Sequence, residues 1–278
     1  MTSAPWQRTS SLSSAERLAV LDLINHTEAL LEREALDETR RRSVVHGWPG
    51  EHWMLYDDGR LQGYANVSMG AIPSVEMVGG GVDDSLLSAV LSVHGRVDWW
   101  QRDTKTRPDN AIRTLQLMSR SLHDLSPVID DRGVVRPFEP GVDDEAWLAQ
   151  NNAAFANHPE QGAWRKTDLQ SRIEEPWFDP SGFLLLFLDG ELAAACWTRV
   201  HELYRERFGE VYVLTVGPEH QGKGLGKTLL SAGLVNLRRK GVLRAELFVD
   251  ADNSPALALY ESMGFAVQRE DQLLRFGA

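Results

Sequence analysis

The segment Glu210–Gly233, EVYVLTVGPEHQGKGLGKTLLSAG, limits what this chain can fold into more than any other stretch. An apolar, strand-like run meets a loop with glycines at 222, 224 and 226, and the loop opens a helix with apolar periodicity. That order aims unpaired N–H groups and the positive end of a helix dipole at one point, where an anion is stabilised. Without Cβ atoms at Gly222, Gly224 and Gly226 a diphosphate can approach the main chain, and Lys223 and Lys227 supply counter-charge. The same letters end like a P-loop, in GKT, but Gln221 stands where that motif needs its first glycine. The nucleotide-hydrolysing alternative is weakened accordingly, and it would require magnesium-dependent ATP binding.

Downstream, DNSPALALYESMGF reads as a short helix. Asp252, Asn253 and Ser254 can cap it, Pro255 suits its first turn, and Gly264 can end it in the left-handed conformation. Asn253 and Tyr260 are seven residues apart, close to two turns, so both project from one face.

The remaining pattern predicts two copies of one α/β plan. In the first half, Ser13 to Glu16 forms a capping-box pattern before a helix beginning near Ser14, and a helix is also expected across ALLEREALDETR, with a solvated charged face as its structural reading. A strand pair turns at Asp58-Gly59 and VEMV leads toward another helix. The polar, proline-bearing stretch at 123–133 precedes a new strand, VVRPF. The second half then gives a helix from about Asp143 to Ala156, a helix opened by a cap at Thr167 to Gln170, and a hairpin at Asp189-Gly190. The expected domains are 1–125 and 133–278. After VEMV the first copy reads GGGVDDSLLSAVL, so only the second copy keeps a full phosphate-cradling loop.

The two linked motifs resemble those of the GNAT acetyltransferases. Gln221, Gly224 and Gly226 fit that family's [QR]-x-x-G-x-[GA] pattern, and NSPALALYESMGF is similar to its second signature. The resemblance implies an α/β (α+β) fold of two tandem GNAT-type domains, each a mixed, mostly antiparallel sheet flanked by helices, the first degenerate and the second catalytic. It implies acetyl-CoA as co-substrate. Leu214, Thr215 and Val216 would pair with the pantetheine arm, Gln221, Gly222, Lys223, Gly224, Leu225, Gly226 and Lys227 would hold the diphosphate, and Asn253, Ser254 and Ala256 would complete the cofactor contacts. Tyr260 would be the acid that protonates the leaving thiolate; a core tyrosine is its structural alternative, as a helix cap is for Asn253.

Several further segments resemble one GNAT subgroup, the mycothiol synthases: NNAAFANHPEQGAW, EPWFDPSGFLL, WTRVH and GEVYVLTVGPEHQGKGLG. These cover most of the C-terminal half, whereas the N-terminal half matches in layout alone. The resemblance implies acetylation of the cysteinyl amine of Cys-GlcN-inositol, with Glu210 as general base and Glu38, Glu160, Arg199, Glu210 and Phe248 at the substrate. Glu210 has a plain alternative as an exposed strand-end carboxylate, Glu160 as a loop charge, Arg199 as a solvated hairpin residue and Glu38 as part of a solvated charged face. The subgroup usually carries Lys at Arg199 and Tyr at Phe248, so a planar fork replaces a point charge and a hydroxyl is lost. Another small amine, or a protein N-terminus, is therefore an alternative acceptor. A non-catalytic acyl-CoA-binding protein is a third reading, separable because acetyl-CoA would bind without turnover.

Composition excludes other classes. With 29 Lys and Arg against 40 Asp and Glu, the formal charge of −11 repels nucleic acid and anionic lipid. Cys196 is the single cysteine, so no intrachain disulfide forms and a reducing cytoplasm suits the protein. No signal-peptide core or membrane-length apolar run is present. His158 and His201 belong to no cluster with metal-ligand spacing, so no metal is expected. The partner implied is a small-molecule amine met by a monomer.

Overall fold

The computed structural model describes residues 6–31, 33–78, 83–128, 132–156, 162–203 and 206–277. Two compact units emerge, one of Met1–Gln116 with Asp250–Asp252 and Arg269–Ala278, the other of Leu117–Val249 with Asn253–Gln268.

The first unit runs β1 (Gln7–Thr9), α1 (Ser14–Leu31), α2 (Glu38–His46), β2 (Glu51–Asp57), β3 (Arg60–Ser68), β4 (Ser74–Val78), α3 (Asp84–His94) and β5 (Arg96–Gln101). The capping box forms as the sequence predicts: the Ser13 amide donates to Glu16 at 2.8 Å and the Glu16 amide to Ser13 Oγ at 3.3 Å. The hairpin turns at Asp58 and Gly59, both at positive φ (46° and 75°), which matches the twist of the paired strands. β1 to β4 pair antiparallel and β4 lies parallel to β5. Period-two alternation gives this sheet a core on each face: Met54 and Tyr64 join Val20, Ile24 and Leu36, while Trp53 and Ala65 join Leu86, Val90 and Trp99.

The expected helix over ALLEREALDETR is broken. α1 ends at Leu31 and a second helix starts at Glu38, capped by Asp37, which accepts from the Arg40 amide at 2.8 Å. Nor is its charged face wholly solvated, because Arg40 is buried and paired with Asp37.

After β6 (Ala111–Ser121), the second unit continues with β7 (Val134–Pro137), α4 (Asp144–Ala154), α5 (Lys166–Ile173), β8 (Phe183–Leu188), β9 (Glu191–Leu203), β10 (Glu206–Val216), α6 (Leu225–Arg239), β11 (Arg244–Asp250) and α7 (Ser254–Ser262); β12 (Ala266–Gly277) closes the chain. β7 to β10 are antiparallel and β11 is parallel to β10. α4 and α5 cover one face through Trp147, Leu169, Phe183 and Trp197, and α6 and α7 cover the other through Leu229, Leu234, Cys196 and Phe265. The cap expected at Thr167 to Gln170 sits two residues earlier, because the Asp168 carboxylate reaches back to the Arg165 amide at 2.8 Å and α5 begins at Lys166. Residues 272–277 of β12 pair antiparallel with β5, so the chain's end is part of the first unit. Each unit thus carries two helices, an antiparallel meander, a helix and a parallel strand in the same order. Among the described residues no helix is long and apolar enough to cross a membrane.

Candidate active site

The glycine loop leads into α6. Gly224 is the residue before its first turn, at φ 82° and ψ 0°, a left-handed conformation that costs a glycine nothing. Leu225 and Gly226 follow as the first helical residues, and their N–H groups have no main-chain acceptor among the described residues, as at any helix start. At Gly226 an added Cβ would lie 3.3 Å from Leu259 and 3.4 Å from Val216, so α6 sits tightly against α7 and β10 there. Around Gly222 the space is open. Lys223 and Lys227 are exposed, and Arg132 donates from Nη1 to the Lys223 carbonyl at 2.8 Å, adding a third cation. Sequence reasoning missed Arg132 because it sits in a polar linker. Amide donors, absent Cβ atoms and three cations together fit a diphosphate.

Beside the loop the sheet opens. β10 and β11 are ladder-paired at Gly209 with Ala245 and at Glu210 with Glu246, while β10 runs on to Val216 and β11 to Asp250. β10 also breaks register against β9 between Val211 and Val213, and such a bulge leaves the extra residue, Tyr212, outside the ladder. Leu214, Thr215 and Val216 lie just beyond. Thr215 is 2% exposed and its Oγ1 has no partner among the described residues, an orphaned buried hydroxyl on the strand expected to meet pantetheine.

α7 faces the same loop. Asn253 caps it, accepting from the Ala256 amide at 3.2 Å, with Ser254 and Pro255 in its first turn. Tyr260 is 8% exposed, packs with Phe265 and the α6 leucines, and makes no side-chain hydrogen bond among the described residues. Burial pushes the phenol's pKa up, so it holds its proton throughout the physiological range. Cys196, packed in the same core, is pushed up to about 12 by burial and stays a thiol.

On the opposite face of the sheet three of the residues expected at the substrate come together. Gly209 and Val211 turn toward α6; a Cβ at Gly209 would meet Leu237 at 2.5 Å. Glu210 therefore points away from α6. Arg199 of β9 is its antiparallel register partner and Glu246 of β11 its parallel one, with Phe248 two residues further along β11. Ala245, Leu247 and Val249 fill the α6 core, so Arg244, Glu246 and Phe248 line the Glu210 face. The Arg199 guanidinium stacks 4.6 Å over Trp177, whose ring also packs edge-on against Tyr212. Arg172 of α5 donates to the Tyr212 hydroxyl at 3.0 Å.

Arg199, Glu210 and Phe248 are thus brought together, and the loop, Asn253 and Tyr260 form the neighbouring group. Glu160 and His158 lie outside the described residues. Glu38 is half-buried at the start of α2, in the first unit. Trp177 and Tyr212 were missed as site residues, although both sit in segments that carry the resemblance. No cluster of three or more metal-ligating side chains occurs among the described residues.

Comparison with known proteins gives the family and the fold. The acetyltransferase (GNAT) family model matches residues 147–265, which contain the loop, the opened strands and the tyrosine helix. The fold is similar to a GCN5-related N-acetyltransferase from Sphaerobacter thermophilus (TM-score 0.69, 20% identity, covering 98% of this chain and 95% of that one). It is also similar to a tandem GNAT protein from the clavulanic acid biosynthesis pathway (TM-score 0.67, 15% identity, 98% of each chain). In sequence, the chain is 40% identical to the mycothiol acetyltransferase of Streptomyces griseus over 95% of this chain and 93% of the relative. It is 42% identical to that of Thermobispora bispora over 86% and 89%. Because the similarity spans most of the chain, through both units, this chain belongs to the mycothiol acetyltransferase family of GNAT N-acetyltransferases.

Proposed function

We propose that the protein transfers an acetyl group from acetyl-CoA to the cysteinyl amine of Cys-GlcN-inositol, giving mycothiol. The observation that carries this reading is Glu210, a part-exposed carboxylate placed where β10 and β11 stop pairing, with Arg199 and Phe248 on its face. Acetyl-CoA supplies the activated acetyl group as its thioester. The amides from Gly222 to Gly226, with Arg132, Lys223 and Lys227, hold the diphosphate, and Asn253, Ser254 and Ala256 frame the neighbouring helix start. Main-chain groups of Leu214, Thr215 and Val216 on the side away from β9, past the last residues paired with β11, accept an added strand-like ligand.

Glu210 removes the proton from the amine. An α-amino group has a pKa of about 7.7 to 8.0, so a carboxylate acting directly or through water suffices. Tyr260 holds a proton at Oη and gives it to the departing sulfur. The buried thiol of Cys196 offers no nucleophile, which favours direct transfer over an acyl-enzyme. On this reading the enzyme is a cytoplasmic monomer acting on a small molecule.

The test is mass spectrometry of a reaction containing protein, acetyl-CoA and Cys-GlcN-inositol. One acetyl group should appear on nitrogen, and Glu210→Gln should lose most of that activity while still binding coenzyme. Acetyl-CoA binding without product would refute the assignment. Preference for another amine over Cys-GlcN-inositol would move the acceptor to the alternative that Arg199 and Phe248 raise.

A further inference from the structure

His201 reads in the sequence as an isolated histidine. In the fold its Nε2 lies 2.7 Å from Glu210 Oε2, across the β9–β10 diagonal, in a setting where the His201 side chain is 6% exposed and that of Glu210 17% exposed. A carboxylate only accepts, so Nε2 carries the proton in this bond and the ring tautomer is set by it. The imidazole is parallel to Phe208 at 4.6 Å and 2°, and the Arg244 guanidinium lies 5.1 Å over the same phenyl ring. Across the three strands His201, Phe208 and Arg244 form one row, and Arg199, Glu210 and Glu246 form the next. Glu246 is itself held by Arg244 at 2.6 Å. Glu210 has no second hydrogen bond among the described residues, so Oε2 is tied and Oε1 is open.

We propose that His201 is a positioning residue for the acetyl transfer: it fixes the Glu210 carboxylate through Oε2 and turns Oε1 toward the incoming amine. This rests on Glu210 as base. The proton removed from nitrogen goes to Oε1, while the Nε2–H bond keeps Oε2 in place. Among the described residues, the other charged or titratable groups facing Glu210 are Arg199 from β9, Tyr212 from β10, and Arg244 and Glu246 from β11, with Arg172 of α5 behind Tyr212.

His201→Phe keeps a ring against Phe208 and removes the donor; His201→Gln restores an N–H. His201→Phe should lower kcat roughly 10- to 100-fold, the scale of a misplaced catalytic group, with little change in the KM for acetyl-CoA. His201→Gln should recover most of the activity. In a Glu210→Gln background His201→Phe should cost nothing further. Nitrogen-15 NMR of the ligand-free protein gives a readout without turnover: Nε2 should be protonated, and its shift should move on Glu210→Gln. The proposal is overturned if His201→Phe retains wild-type kcat while Glu210→Gln does not, or if its loss adds fully to that of Glu210→Gln. If Glu210→Gln itself keeps full activity, the underlying base assignment fails instead.

Discussion

Replacing Gly224 with alanine isolates the loop's backbone from its chemistry. Gly224 has φ 82°, and a Cβ there would find only Arg132 Nη2, at 3.7 Å, an ordinary contact. No clash contributes, so the cost is that of holding an L-residue left-handed, about 1–2 kcal/mol. If the loop keeps its shape without coenzyme, that cost appears as lost stability, a fall in Tm of roughly 2–8 °C at about 2–4 °C per kcal/mol. If the loop relaxes when empty, the cost appears on binding instead, as a roughly 5- to 30-fold weaker Kd for coenzyme A. Calorimetric titration and thermal melting on one preparation capture both, and their sum should reach at least about 1 kcal/mol. Gly224→Asn should suffer less, because asparagine tolerates this conformation. Gly226→Ala is the internal contrast: its Cβ meets Leu259 and Val216 at 3.3 and 3.4 Å, where flexible side chains yield by tenths of an ångström, and helix propensity offsets the strain. If Gly224→Ala leaves both Tm and Kd unchanged, the loop is not held left-handed around the coenzyme, and the cradle argument is wrong.

Tyr260→Phe should lower kcat by roughly 10²–10⁴-fold while leaving coenzyme Kd and Tm unchanged, because the lost hydroxyl makes no hydrogen bond to the described protein; steady-state kinetics beside melting curves check this. Trp197 is fully buried, stacked on Phe183 at 4.4 Å and edge-on to Trp147, so Trp197→Ala should cost about 3–5 kcal/mol in urea unfolding. His52 is fully buried with Nδ1 2.7 Å from the Tyr64 hydroxyl, and burial lowers its pKa from the ordinary 6.5. The unfolded chain therefore takes up the proton first as pH falls, and the stability that His52 contributes above 6.5 is lost below it. His52→Gln should flatten the fall in Tm between neutral pH and pH of about 5.

Much of both halves was legible because the signals are local. The Ser13–Glu16 box, the turns at Asp58-Gly59 and Asp189-Gly190, and the Asn253 cap each depend on a few adjacent residues, and each forms as read. ALLEREALDETR misled because its helix propensity is local, whereas burial of Arg40 and the placing of Asp37 depend on distant neighbours such as Ser74 and Glu76. The α5 cap moved because the Asp168 carboxylate outcompeted the Thr167 pattern.

By itself, the sequence determined the glycine loop, the helix that carries Tyr260 and the α/β order of both units, since backbone freedom, capping and periodicity are encoded residue by residue. Tertiary structure alone decided that His201 grips Glu210, that β10 bulges at Tyr212, and that residues 272–277 pair with β5. These depend on strand register, which a chain fixes only when its strands meet: a shift of one residue would turn Glu210 into the α6 core and His201 away from it.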